Sequence, residues 1–387
     1  MAHSPPAIAR RRRVLYAARS ESPGTLAGIR RYAQRAGWIV DWGVHNISLH
    51  GKLVRWDGVI TRLDPASEDL LRFVAQARVP VVDVGRDSMD VAVPRVLLDD
   101  MAIGSSGAQH LIERGFRNLA FFMEGADPAV CLRREGFAAA VRRASRRFYL
   151  MAIRPELSWR TPSTGDYERL IAALRSSPMP LGIMAGADAW ALALVNACLM
   201  AGLRIPEHVA VMGADNEADA AEFAAVPISC VIATHNQHGY EAAALLDRLM
   251  HGAPQPRAPL LVAPAGVAAR RSTDTVAVNH DGIARAVRFI LEQFRSAISV
   301  EEVARAAVMS PSHLFREFPR YTGRTVHEMI NLQRIEHACG LLRDTDKPMD
   351  LIAESAGFAD ARRMAKVFTR ELHCTPRDYR RTHAAQR

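Results

Sequence analysis

Ser299-Val300-Glu301-Glu302-Val303-Ala304 is followed by Met309-Ser310-Pro311-Ser312-His313-Leu314 and closes at Phe318. The pattern returns as Met349-Asp350-Leu351-Ile352-Ala353, then Gly357-Phe358-Ala359-Asp360, and closes at Phe368. Each copy predicts a helix with a small alanine (Ala304, Ala353) where a second helix crosses closely. A tight turn follows, then a second helix started by a residue that caps orphan backbone amides, Ser310 or Asp360. This is the helix-turn-helix layout, whose second helix enters the DNA major groove.

Between the copies, Thr325–Leu342 places Val326, Met329, Ile330, Ile335, Ala338 and Leu341 on one stripe and predicts a long helix. At about 1.5 Å per residue it is about 27 Å long, enough to hold two reading helices roughly one DNA turn, or 34 Å, apart. Apolar residues also recur at three- and four-residue spacing through Ile283, Val287, Ile290, Leu291, Val300, Val303 and Ala307. No strand is expected from Gly282 to Arg381, so residues 282–387 form an all-helical domain.

Upstream the rhythm differs. Short apolar runs at Val14–Ala18, Asp57–Ile60, Val79–Val82, Leu119–Met123, Leu181–Ala185, Val209–Gly213 and Cys230–Ala233 alternate with amphipathic stretches. The latter include Gly24–Arg35, Asp100–Arg114, Arg133–Arg146, Trp190–Met200 and Gly239–Met250. Buried strands separated by helices predict parallel sheets built from βαβ units. Two α/β lobes with a cleft between them suit the length of this half. The expected organisation is a basic tail over 1–13, a two-lobed α/β domain over 14–272, a linker over 273–281 and the helical domain beyond. The Arg10–Arg13 run reads as a solvated tail.

Composition sets the outer limits. At about 150 residues per domain, 387 residues make two or three domains. With 49% hydrophobic and 24% charged residues the chain is globular in class. No run of about 18 apolar residues exists, which argues against a membrane helix, and the Val14–Ala18 stretch is too short for a signal-peptide core, so a cytoplasmic protein is expected, nucleoid-associated through the paired DNA-reading helices. Lys+Arg 50 against Asp+Glu 41 gives a net charge of +9, which suits a polyanionic partner. Five dispersed cysteines without a C-x-x-C pair suggest neither a zinc knuckle nor a disulfide framework.

Catalytic motifs are missing from the α/β half: no G-x-x-x-x-G-K-[ST], no G-x-S-x-G and no G-x-G-x-x-G occurs. His235 and His238 stand at a spacing that could place two metal ligands, but a helix start near Asn236 explains the segment more simply. No metal and no cofactor are expected. What remains are polar residues at strand ends: Asp188, Asp215, Ser20 and Ser22. Ligands of open α/β sheets bind beyond the carboxyl ends of strands, where carboxylates and arginines bind sugar hydroxyls in pairs. Asp215 reads equally as the cap of a following helix.

The helical domain resembles the AraC-type DNA-binding domain. The residues that carry this are Arg334-Ile335-x-x-Ala338-x-x-Leu341-Leu342, Ile352-Ala353-x-x-Ala356-Gly357-Phe358, Phe368 and Thr375-Pro376-x-x-Tyr379-Arg380. The resemblance implies base contacts from Ser312, His313 and Arg316 in the first reader and from Arg362, Arg363 and Lys366 in the second. Two departures stand out. Met364 replaces a usual aromatic, and Pro319 should end the first reading helix early.

The larger half resembles the periplasmic-binding-protein-like effector domain of LacI-type regulators. It does so through Val96-x-x-Asp99-Asp100-x-x-x-Gly104, His110-Leu111-x-x-x-Gly115-Phe116, Arg133-x-x-Gly136-Phe137 and Val211-x-Gly213-x-Asp215-Asn216. That resemblance puts the sugar-contacting arginine at Arg133, the strand-end ligands at Asp188 and Asp215, and an aromatic cover at Tyr167. The helix-turn-helix that usually precedes such a domain is not expected before the first strand. This sensor followed by this reader, with the junction Ala269–Asp274, resembles the architecture of xylose-operon regulators. It implies a DNA-binding regulator, an activator acting as a homodimer with RNA polymerase, controlled by xylose or another pentose. The alternative is an enzyme acting on a sugar, or a DNA-repair enzyme, fused to a reader. No cysteine here has the exposed basic setting that alkyl-transfer repair needs.

Overall fold

The computed structural model describes residues 11–19, 22–43, 54–124, 127–153, 163–216, 221, 223–274, 280–322, 324–372 and 374–384. Ser20, expected in the ligand site, lies outside them.

The first lobe is a four-stranded parallel sheet. Its strands are β1 (Arg13–Ala17), β2 (Ile39–Trp42), β3 (Gly58–Thr61) and β4 (Val81–Asp83), in the order β2-β1-β3-β4. Alternate residues of β1 serve two cores. Val14 and Tyr16 pack with α1 (Pro23–Ala36) and α7 (His235–Met250), while Leu15 and Ala17 pack with Leu70 and Val74 of α2 (Glu68–Gln76). Burial on both faces is why these strands read as unbroken apolar runs.

The second lobe holds β6 (Asn118–Glu124), β7 (Arg147–Ile153), β8 (Leu181–Ala185), β9 (Val209–Gly213), β10 (Ser229–Val231) and β12 (Val267–Ala268). Their order is β12-β10-β9-β8-β6-β7, parallel except for the antiparallel β10–β12 edge. Helices α3 (Asp100–Glu113), α4 (Pro128–Arg143), α5 (Thr164–Ser176) and α6 (Asp188–Met200) flank it. The chain crosses between lobes three times: after β5 (Val96–Leu98), between β10 and α7, and between β11 (Leu260–Val262) and β12. β5 and β11 pair in parallel, and the Asp99 amide donates to the Val262 carbonyl at 2.9 Å.

The end of the basic run, Arg12 and Arg13, is not a free tail. Arg13 opens β1 and pairs with Asp41, and Arg12 lies 3.6 Å from Asp247 of α7. Strand pairing draws in these arginines because carboxylates on neighbouring elements face them. At the other end, Thr273, assigned to the linker by its sequence, is fully buried in the sensor. The Ser272 hydroxyl donates to the Val211 carbonyl at 2.6 Å, and Thr273 Oγ1 lies 2.8 Å from His110 Nε2.

The reader begins with α8 (Asp281–Gln293), followed by α9 (Val300–Ala307), α10 (Pro311–Thr322), α11 (Val326–Asp344), α12 (Met349–Ser355), α13 (Ala361–Leu372) and α14 (Pro376–Ala384). It has two separate cores threaded on α11. Val326, Met329 and Ile330 belong to the first, with Leu314 and Phe318; Ile335, Ala338 and Leu342 belong to the second, with Met364 and Phe368. Reciprocal capping fixes the start of α9 through Ser299 and Glu302, and that of α11 through Thr325 and Glu328. Arg334 clamps the rod to the end of α8, donating to the Phe294 carbonyl at 2.7 Å and the Ser296 carbonyl at 2.8 Å.

Pro319 does not stop α10, which continues to Thr322. Burial of Phe318 and a 2.7 Å bond from the Thr322 hydroxyl to the Phe318 carbonyl hold the last turn in spite of the missing proline donor. Met364 fills the core position of the second reader and is 1% exposed. Among the described residues no helix is long and apolar enough to cross a membrane.

Candidate functional site

A cavity of 350 Å³ lies between the lobes, at the lower end of the range for small-molecule sites. Lobe one contributes Arg62, Arg86, Asp87 and His235; lobe two contributes Asp100, Arg133 and Asp215. The helix crossing of α3 and α4 sets its floor. Gly104 and Gly136 let the helices touch backbone to backbone, since a Cβ on either would strike the main chain of Arg133 or Met101.

Arg133 is the hub. Its Nε donates to Asp100 Oδ1 at 3.0 Å, and its Nη1 to Asp215 Oδ1 and the Gly186 carbonyl, both at 2.9 Å. Arg86 reaches the other oxygen of Asp100 at 2.8 Å and the Leu98 carbonyl at 2.7 Å. His235 Nε2 stands 3.5 Å from Asp215 across the cleft. Asp83 holds the two loops that carry Arg62 and Arg86, its Oδ1 accepting the amides of Leu63 at 3.1 Å and Gly85 at 3.0 Å.

Electrostatics follow from this packing. Burial works against ionisation of Asp215, yet Arg133 and His235 override it and hold the carboxyl down at about 2. Arg133 is buried too; burial disfavours its charge, and its two carboxylates outweigh that and raise its pKa. His238 is driven down to about 4, first by burial and then by His235, Arg62 and Arg86. It is neutral, with Nε2–H directed at the Val96 carbonyl at 2.9 Å and Nδ1 3.3 Å from the Thr25 hydroxyl. Those bonds occupy the imidazole, and among the described residues no three metal-ligating side chains converge.

Of the expected ligand residues, Ser22, Arg133 and Asp215 stand on the cavity wall. Asp188 stands behind it, 1% exposed, with Oδ1 accepting the amides of Ala214 at 2.8 Å and Asp215 at 3.2 Å. Tyr167 packs against the core beside α6 and does not line the cavity. Sequence reasoning missed Arg86 and Asp100, and weighed His235 only as a metal ligand. The strand-end rule was available for Arg86, three residues past β4, and Asp100 lay inside the quoted Val96–Gly104 pattern.

The reading helices repeat one burial pattern. Leu314, Glu317 and Phe318 are buried in α10, as are Met364, Val367 and Phe368 in α13. Ser312, His313 and Arg316 are exposed, as are Arg362, Arg363 and Lys366. Ser310 Oγ accepts the His313 amide at 3.2 Å, and Asp360 Oδ1 accepts the Arg363 amide at 2.6 Å. Arg316 Nε is tied to Glu317 at 2.9 Å, and the ring of His313 meets His280 edge-on at 6.4 Å. Elsewhere a wide cleft of 1260 Å³ separates sensor and reader, bridged where Arg288 meets Glu207 at 2.6 Å.

Comparison with known proteins agrees with this architecture. Residues 108–273 match the periplasmic binding protein-like domain and residues 303–382 a helix-turn-helix domain. The xylose operon regulatory protein of Escherichia coli (strain K12) is 30% identical over 342 residues, covering 85% of each chain. That of Haemophilus influenzae is 28% identical over 335 residues, covering 84% of each. The solved structure of a xylose-binding transcription activator superposes with a TM-score of 0.58 at 27% identity, over 97% of this chain and 99% of that one. A sugar-type sensor cleft, a paired helix-turn-helix reader and this similarity along the chain lead to one assignment: the chain belongs to the xylose operon regulatory protein family of DNA-binding transcription regulators.

Proposed function

We propose that this regulator binds a pentose, xylose first among candidates, in the 350 Å³ cleft, and that the sugar changes how the reader engages DNA. The observation that carries this is the Asp100–Arg133–Asp215 chain at the cleft, flanked by Arg86 and His235. Each carboxylate already accepts from a guanidinium and keeps lone pairs for hydroxyl donors, the charge-assisted geometry that polyols favour. The similarity to xylose operon regulatory proteins supports the choice of xylose. Arg133 and Asp215 act as sugar ligands. Asp188 serves the site by holding the Asp215 amide, and Tyr167 acts through the core.

On DNA, Ser312, His313, Arg316, Arg362, Arg363 and Lys366 divide base and phosphate contacts between two successive major grooves. The protein works in the cytoplasm as a homodimeric activator that meets RNA polymerase, and it does not turn its sugar over. Titration calorimetry with xylose, arabinose, ribose and glucose, paired with DNA-binding anisotropy, tests this. Xylose should bind and shift DNA affinity, and DNA should shift xylose affinity by the same factor. Equal DNA affinity with every sugar, or consumption of bound xylose, would sink the reading.

A further inference from the structure

Phe315 is 74% exposed, on a helix whose Leu314 and Phe318 are fully buried. What sets Phe315 apart is its place: it stands on the reading helix beside Ser312 and Arg316, where a helix seated in the major groove meets base edges. Ser312, Phe315, Arg316 and Pro319 follow the i, i+3, i+4, i+7 spacing of one helix face, the face opposite the core. On the second reader the matching face is Arg362, Ala365, Lys366 and Thr369.

The two faces differ in chemistry. Among the described residues Arg362, Arg363 and Lys366 make no ion pair, so this face is cationic. The first face carries one cation, Arg316, held by Glu317 at 2.9 Å; Arg320 draws on the same carboxylate at 3.4 Å. Beside it Phe315 and the ring of Pro319 stand one turn apart and make an apolar strip. In the major groove one base alone offers an apolar group at its edge, the thymine C5-methyl.

We infer that Phe315 is a specificity-determining residue that reads a thymine methyl in the major groove, so that the first reader selects by apolar contact and the second by charge. This rests on the regulator assignment and reaches past it to one base position.

The test uses the full-length protein with its sugar and a duplex site selected from random DNA. Each thymine is replaced in turn by deoxyuridine, which lacks only the methyl. At one or two positions the wild type should lose about fourfold in affinity, the factor that burial of one methyl-sized group carries. Phe315→Ala should bind thymine and deoxyuridine equally there, while Arg316→Ala binds more weakly overall and keeps the methyl preference. An unchanged far-ultraviolet spectrum and melting temperature for Phe315→Ala show that the exposed site tolerates the change. The inference falls if deoxyuridine is harmless everywhere, if Phe315→Ala keeps the full penalty, or if the selected site has no thymine in the half where Phe315→Ala acts. Failure of sequence-selective binding by the wild type would instead remove the regulator reading itself.

Discussion

Asn216 accepts a hydrogen bond on Oδ1 from Arg270 Nη2 at 2.9 Å, and it is the peptide neighbour of Asp215 on the cleft wall. Asn216 sits at φ +59, in the left-handed region that asparagine tolerates better than most residues. Arg270 also donates to the Ile228 carbonyl at 2.9 Å, and its amide donates to Ser229 Oγ at 2.7 Å. Ser272 and Thr273 follow directly, both fully buried. A displacement of Asp215 by a ligand therefore meets the exit segment of the sensor, Arg270–Thr273, within a few bonds. Asn216→Gly keeps the backbone conformation and removes the acceptor. It should retain sugar affinity within about threefold while the sugar-dependent change in DNA affinity, typically about 5–150-fold in allosteric proteins, shrinks toward one. Anisotropy titrations with and without sugar measure this directly.

Arg133 neutralises two carboxylates at once. Arg133→Met should leave Asp100 and Asp215 short of a partner in a buried site and cost about 3–5 kcal/mol of stability. Arg133→Lys keeps the charge and loses the fork, so sugar binding should fall much further than stability. Urea unfolding beside calorimetry separates the two effects.

Acid should weaken the sensor in a defined window. An unfolded histidine takes up a proton near 6.5, whereas folded His238 resists until about 4 because it is buried among cationic groups. Its contribution is complete above pH 6.5 and is lost as the pH falls toward 4, on the order of 3 kcal/mol in all. His110 is lowered in the same direction by burial and by Arg114, and adds to the loss. Asp215 gives way only lower, near pH 2. Melting temperature followed from pH 7.5 to 4 should fall, and His238→Gln should flatten the slope.

The second reader should dominate the salt response. Replacing Lys366 or Arg363 by alanine should reduce the slope of log affinity against log salt by about one for each lost phosphate contact. Replacing Ser312 should leave the slope alone. A slope unchanged in both cationic variants would show that these side chains do not meet phosphate.

The reader was legible because its signals are local: caps at Ser310 and Asp360, small crossing residues, and apolar periods that persist over many turns. The inner strands were legible for a related reason, since burial on both faces writes a continuous apolar run. β2 and β7 were not, because Ile39, Trp42 and Leu150 are exposed on sheet edges and the pattern blurs there. The cleft was only half visible. Arg86, Asp100, Arg133, Asp215 and His235 come from five separate elements or loops, and no local pattern announces that three chain crossings bring them together. Asp188 and Asp215 look alike as residues that follow strands. They separate in space because Asp188 opens a helix and turns its carboxylate onto the amides after β9, away from the cavity.

Thr273 being locked between His110, Arg114 and Ser229 has a practical corollary. Those bonds fix the last residues of the sensor to its body, so a small rotation of that body carries Thr273 with it. Swapping readers between such proteins should preserve signalling when the splice is made beyond Asp274, and should yield a deaf hybrid when it is made before Ser272.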